Sequence, residues 1–262
     1  MIAIAGVGLI GGSFALAVRK AGYAGKIVGV SSPAAIQAAI ARGAIDEGMP
    51  LAEAAARADL IYLAQPIERI LATIGEIDQY VRPGTLITDA GSTKRAIVER
   101  AYQKIQRGRF VGGHPMAGKE ARGVEAADAD LFRGRPYVLT SPDEELETWI
   151  AKIGARLVRM DADAHDRRAA VVSHLPQLLS TALAPMVEDS AAMAGPAAVD
   201  MTRLALSSYD IWRDILATNP MEIDAALAGY IERLQELRAS LPDLQDEFER
   251  AAQAARRLRE ST

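Results

Sequence analysis

The chain opens Met1-Ile2-Ala3-Ile4-Ala5-Gly6-Val7-Gly8-Leu9-Ile10-Gly11-Gly12-Ser13. Residues 1–5 are a short apolar run rich in isoleucine, the composition of a strand buried in a parallel sheet. Glycines follow at the spacing G-x-G-x-x-G, and residues 13–21 continue as a helical pattern. Each glycine has a mechanical task. Gly6 permits a tight turn off the strand, Gly8 lets the backbone approach a pyrophosphate, and Gly11 lets helix pack closely on strand. The N–H groups of the helix start, from Leu9 and Ile10 onward, add the positive end of the dipole and complete an anion seat. A second strand follows at residues 26–30. Strand, glycine turn, helix and strand read together as a dinucleotide-binding unit; without that context the triplet would be only a glycine-rich turn.

At 262 residues, half of them hydrophobic and 24% charged, the chain suits one large domain or two ordinary ones with a real core. A formal net charge of -4 gives no basic field for nucleic acid or an anionic membrane. Cysteine is absent, which excludes disulfides and thiolate metal sites, and no metal is expected. The apolar start has no basic segment before it and is cut short by glycine and serine, so it does not read as a signal peptide. No apolar run approaches membrane-spanning length. A cytoplasmic protein with no nucleic-acid or membrane partner is expected.

NAD-preferring sites usually carry an acidic residue at the end of the second strand, where it grips the adenosine ribose. Here Ser31-Ser32-Pro33 stands in its place. A carboxylate would repel a 2′-phosphate, so its absence removes that repulsion. The Ser31 and Ser32 hydroxyls could meet the phosphate at a helix start, although no Arg or Lys lies in residues 27–41 to neutralise it. The expected cofactor is NAD or NADP, with NADP slightly favoured.

Residues 33–42 read as a helix and residues 59–64 as the next buried strand, ended by Gln65-Pro66 at the edge where ligands sit in such sheets. A helix at 67–81 and a strand at 85–89 follow, and the loop Asp89-Ala90-Gly91-Ser92-Thr93-Lys94 feeds another helix. Ser92 is either that helix's N-cap or a hydroxyl near nicotinamide and substrate. A fifth strand, residues 109–113, delivers His114-Pro115-Met116-Ala117-Gly118-Lys119-Glu120. The chain has three histidines, and His114 has the placement of a general base. Two β-like runs at 137–140 and 157–160 flank a helix at 143–153 and complete the first domain near Met160.

From residue 161 the composition turns helical. Asp163 caps a long helix from His165 to about residue 194, interrupted by Pro176 beside His174. Gly195-Pro196 breaks it, and Asp200 opens the next helix with Arg203 on the same face. Arg203 is either a surface ion-pair member or a fork for a substrate carboxylate. An amphipathic helix at 221–237, with Ile223, Leu227, Ile231 and Leu234 on one face, precedes a charged tail.

Taken together, Gly6 to Ser13, Asp89-x-x-Ser92-x-Lys94, Gly113-His114-Pro115-Met116-Ala117-Gly118, Ser173-His174-Leu175-Pro176 and Asp200-x-x-Arg203 resemble the prephenate/arogenate dehydrogenase family of tyrosine biosynthesis. The resemblance implies a Rossmann-type doubly wound α/β domain over residues 1–160, then an all-helical dimerisation domain over 161–262, forming a homodimer. It implies NAD(P)-dependent oxidative decarboxylation of prephenate or arogenate. His114 would be the base that takes the ring hydroxyl proton, and Ser92 would support it and the nicotinamide. Arg203 would bind a carboxylate, His174 would line the pocket, and Glu120 and Asp200 would stand at its mouth. No chorismate mutase is expected before Met1, nor a regulatory domain after Thr262. Two readings compete: another two-domain dehydrogenase or imine reductase, and a dinucleotide sensor without turnover. Neither needs His114, and the sensor has no use for His174 and Arg203 beside it. The run Ala194-Gly195-Pro196-Ala197-Ala198-Val199 departs from the glycine-aromatic stretch that the resemblance leads one to expect before Arg203.

Overall fold

Strand β1 (Ile2–Ala5) sends alternate side chains into two different cores. Ile2 and Ile4 face one, and Ala3 and Ala5 the other. The same alternation recurs in β4 (Leu60–Leu63), where Leu60 and Tyr62 oppose Ile61 and Leu63. Strands buried on both faces need a sheet covered on both faces, and that is what the computed structural model shows. It describes residues 1–119 and 121–260.

Between and beyond these strands lie α1 (Leu9–Lys20), β2 (Ile27–Val30), α2 (Pro33–Ala41), β3 (Glu47–Gly48) and α3 (Leu51–Arg57). They are followed by α4 (Ile67–Ile77), β5 (Leu86–Asp89), α5 (Arg95–Lys104) and β6 (Arg109–Val111). The sheet order is β3-β2-β1-β4-β5-β6, with every pair parallel. Strand order reverses between β1 and β4, and the crevice outside their carboxyl ends is where such sheets take ligands. The expected Rossmann-type doubly wound sheet is present. Two details differ from the sequence reading. Helix α1 begins at Leu9 rather than Ser13, and the two-residue β3 is too short to leave a periodic signal.

The expected fifth strand is two strands. β6 ends at Val111, and after Gly112 the chain enters β7 (Gly113–Pro115), which belongs to a second, three-stranded sheet with β8 (Pro136–Leu139) and β9 (Arg156–Arg159). β7 pairs antiparallel with β8, and β8 parallel with β9, across α6 (Glu144–Lys152). His114 therefore sits within an antiparallel strand, opposite Val138, not at the end of a parallel one. Two fully buried charges turn the chain here. The Lys94 ammonium pairs with Asp89 and donates to the Gly113 carbonyl at 2.8 Å, while Gly113 N donates to Asp89 Oδ1 at 3.1 Å. Both backbone groups of Gly113 are thus held from the two ends of the loop that joins β5 to α5. The sheets also meet through Tyr62 and Tyr137, whose hydroxyls hydrogen-bond at 3.1 Å, and Tyr62 stacks on Phe14 of α1.

The chain divides into two compact units. The first comprises Met1–Ala169 and the returning segment Ser207–Asn219; the second comprises Ala170–Leu206 and the chain from Pro220 onward. The compositional change near Met160 marks the end of the second sheet, while the units part later, at Ala169. Helix α7 (Ala162–Ala169) completes the first unit, joined by α10 (Tyr209–Thr218). Asp214 of α10 accepts Glu68 N at 3.1 Å and so caps α4, and Asn219 donates to the Asp166 carbonyl at 2.9 Å. Such a return in sequence leaves no local signal.

The second unit holds α8 (Leu175–Glu188), α9 (Pro196–Thr202), α11 (Pro220–Ala239) and α12 (Gln245–Glu260). The irregularity beside His174 is a π turn, Ala170–His174, rather than a kink from Pro176, which sits harmlessly in the first turn of α8. Pro196, not Asp200, opens α9, and the expected charged tail is α12. By length and composition the helical run Ala162–Glu188 is long and apolar enough to cross a membrane, contrary to the sequence reading; core helices of soluble proteins pass the same measure.

Replacing Lys94 by Met should destabilise the fold by about 3–5 kcal/mol, because it leaves the buried Asp89 carboxylate without its cation. Denaturant unfolding measures this, and a loss below about 1 kcal/mol, the scale of an exposed pair, would show that the buried pair does not hold the β6–β7 turn.

Candidate active site

Each glycine of the first loop can be tested by the atoms its missing side chain would meet. Gly6 adopts φ +92°, and a Cβ there would stand 2.5 Å from the Ala64 carbonyl oxygen of the neighbouring strand end. A Cβ on Gly11 would overlap the Gly6 carbonyl oxygen. A Cβ on Gly8 would meet nothing within 4 Å. Two glycines are thus required by packing, and the third faces open space where a ligand backbone can approach. Gly8 is the N-cap of α1, no side chain caps the helix, and its first turn holds no acidic residue. An uncapped positive helix end over open space fits a pyrophosphate.

A cavity of about 580 Å³ runs from this loop along the ends of β1, β2 and β4. Its walls include Gly6, Gly8, Ser31, Gln65, Pro66 and Arg69. Ser31 faces the cavity, whereas the Ser32 hydroxyl caps α2, accepting Ala35 N at 3.4 Å. Gln65 is oriented by Thr73, whose hydroxyl donates to its Oε1 at 2.9 Å. Arg69 was missed in sequence because it comes from α4, far along the chain from the serines. Its place three residues after Pro66, in the first turn of a helix that starts at the ligand edge of the sheet, was the available signal.

A second cavity, of about 450 Å³, adjoins the same loop. Leu9, Ile10, Gly91, Ser92, Arg122 and Asp214 are among its walls. Ser92 is not an N-cap. The first N–H groups of α5, from Lys94 and Arg95, are capped instead by Asp166 of α7 at 2.7 and 2.9 Å. Ser92 instead lines the cavity, half-buried.

His114 is buried on β7 and lines neither cavity. Its Nδ1 lies 2.8 Å from Nε2 of His165, and His165 Nδ1 lies 2.7 Å from Asp166 Oδ1. Sequence reasoning gave His165 only a place at a helix start. That it is one of three histidines, followed directly by Asp166, was the available signal.

The remaining sequence-predicted residues belong to the second unit, except Glu120, which lies outside the described residues. His174 is buried at the end of the π turn. Asp200 is exposed in α9, and Arg203, also exposed, begins the 3₁₀ turn Arg203–Leu206. That turn is fastened to α8: Gln177 donates to the Leu204 carbonyl at 2.8 Å, and Ser180 accepts Ala205 N at 3.0 Å. The guanidinium thus springs from a fixed backbone.

Comparison with known proteins divides the chain near residues 161–164, a little before the compact units part, and does not separate the returning segment 207–219. A family model described as prephenate dehydrogenase, nucleotide-binding domain, matches residues 14–164, and one described as prephenate dehydrogenase, dimerization domain, matches residues 161–256. The prephenate dehydrogenase of Lactococcus lactis is 37% identical over 253 residues, covering 93% of this chain and 70% of its own length. The crystal structure of the Aquifex aeolicus prephenate dehydrogenase with hydroxyphenyl propionate and NAD+ matches with a TM-score of 0.86 at 29% identity, over 97% of this chain and 96% of that one. Synechocystis arogenate dehydrogenase matches with a TM-score of 0.82 at 29% identity, over 99% and 98%. By the reach of both family models and the identity of its relatives, the chain belongs to the prephenate dehydrogenase family.

Proposed function

We propose that this oxidoreductase carries out the NAD(P)-dependent oxidative decarboxylation of prephenate or arogenate, with His114 as base. The observation that carries the reading is His114 itself. It is buried and held by a hydrogen-bonded partner, in the same unit as a glycine cradle fit for a dinucleotide. When bound, the nicotinamide supplies the hydride acceptor. His114 takes the proton of the ring hydroxyl as the hydride leaves the carbon that bears it. The ring carboxylate departs as carbon dioxide, the ring becomes aromatic, and His114 returns the proton to the phenolic oxygen. Aromatisation drives the step, so the protein needs mainly orientation, one proton acceptor and anion anchors. Ser92, on the cavity wall, supports His114 and the nicotinamide, and Arg203 is the carboxylate anchor. The helical unit pairs two copies of the chain, a reading supported by its match to a dimerization domain and by exposed Met186, Val199, Ile231 and Leu234. The cysteine-free composition suits a reducing, cytoplasmic location.

Reduced cofactor should form when the protein receives prephenate or arogenate with NAD or NADP, and the four-way assay reports the preferred pair. His114→Asn should lower kcat by about 10²–10⁴-fold while leaving cofactor affinity near normal. Near-wild-type turnover in that variant would remove His114 as the base.

NADP should be accepted at least as well as NAD. Ser31 offers no carboxylate to the ribose, and Arg69 brings a cation to the same cavity wall, which the local sequence around Ser31 lacks. Arg69→Ala should lower kcat/KM for NADP by roughly 10-fold or more and for NAD little, the scale of one bond to a charged group. Ser31→Asp should turn preference towards NAD. A wild type that rejects NADP overturns this assignment.

Arg203→Ala should raise the KM of the carboxylate substrate by about 10- to 150-fold with a smaller change in kcat, and Arg203→Lys should recover only part, because a lysine lacks the fork. If Arg203 merely supports its helix turn, the melting temperature falls and KM stays put.

A further inference from the structure

Three buried side chains stand in a row that begins at the proposed base. His114 is 9% exposed, His165 2% and Asp166 0%. The contacts are direct, 2.8 Å between the rings and 2.7 Å from the second ring to the carboxylate. The far end is anchored, since Asp166 also accepts the backbone N–H groups of Lys94 and Arg95. Burial pushes the Asp166 carboxyl up, but the bonds from His165, Arg95 and Lys94 outweigh it and hold the group below the usual carboxylate range.

An ionised carboxylate can only accept hydrogen bonds, so His165 Nδ1 must carry hydrogen. A neutral imidazole has one N–H, so His165 Nε2 is then a lone pair and must accept from His114 Nδ1–H. That leaves His114 Nε2 without hydrogen, which is the form a base requires. The reverse order would place a proton on the very nitrogen that has to take one. The logic is that of the carboxylate behind a triad histidine, extended by one ring.

We propose that His165, held by Asp166, is a positioning residue for the reaction: it fixes the tautomer of His114 and shares the positive charge that forms there. When Nε2 of His114 gains the hydroxyl proton, its Nδ1 proton can pass to His165 Nε2. The cation then lies next to Asp166, and the return of the proton to product reverses both transfers. This rests on the reading of His114 as the base. Among the described residues, two neighbouring cations of the row have partners of their own: Lys94 pairs with Asp89, and Arg95 with Asp163.

The test is a set of variants with two readouts. His165→Phe keeps the ring and removes both nitrogens. It should lower kcat by between about 10- and 10⁴-fold, the upper figure being the cost of losing the tautomer-fixing carboxylate in a serine protease. KM for both substrates should change little. The acidic limb of kcat/KM should move to lower pH, because the His114 imidazolium loses its backing; a purely structural role predicts a lower melting temperature and an unmoved limb. In the His114→Asn background His165→Phe should cost nothing further, whereas multiplying losses would overturn the proposal. ¹⁵N histidine spectra of the protein without substrate should show Nδ1–H on both neutral rings, and an Nε2–H on His114 would also overturn it. The two readings fail separately. Full turnover in His114→Asn defeats the base, while slow His114→Asn beside full-speed His165→Phe defeats only the relay.

Discussion

The pairing of Lys94 with Asp89, both without solvent exposure, is the constraint on which the site depends. Burying two charges is costly unless their remaining bonds are filled, and here they are filled by backbone. Asp89 takes the N–H groups of Gly91 and Gly113, and Lys94 takes the Gly113 carbonyl. Gly113 has no room for a side chain either, since a Cβ would stand 2.6 Å from the Asp89 carbonyl oxygen. The pair therefore seizes the chain one residue before His114 and turns it out of the parallel sheet. The parallel sheet and the strand that carries His114 are separate pieces of architecture, joined at this knot.

What the sequence could disclose followed from how local each cause is. The glycine loop was legible because turn, close approach and helix packing act within a dozen residues, and the structure finds a steric reason at Gly6 and Gly11 and open space at Gly8. Residues 109–113 read as one strand because their apolar pattern is continuous, but pattern cannot say that the partner changes from β5 to β8 at Gly112. The same holds for Ser92. A serine ahead of a helix is an N-cap by local rule, and only the arrival of Asp166 from far along the chain displaces it. The return of α10 and the meeting of Arg69 and Ser31 on the wall of one cavity are likewise tertiary facts. Charge density made α12 look like a tail, although its apolar residues fall on a helical face.

Asp166 links stability to chemistry. It caps α5 and lies behind the two histidines with the same carboxylate. An anion at a helix N-terminus is favourable in its own right, so the fold keeps a negative charge buried before any reaction occurs. Under the role proposed for His114, a base that becomes cationic in a buried place finds its counter-charge already in position, and no rearrangement of solvent is needed to supply it. Because the folded carboxyl lies below its unfolded value near 3.9, this stabilisation is complete above that pH and is lost only as pH falls through the lower folded value. Around neutrality the anion is permanent. In the proposed relay it is the proton that moves between the two rings, while the carboxylate stays charged and sets the direction in which they can pass it.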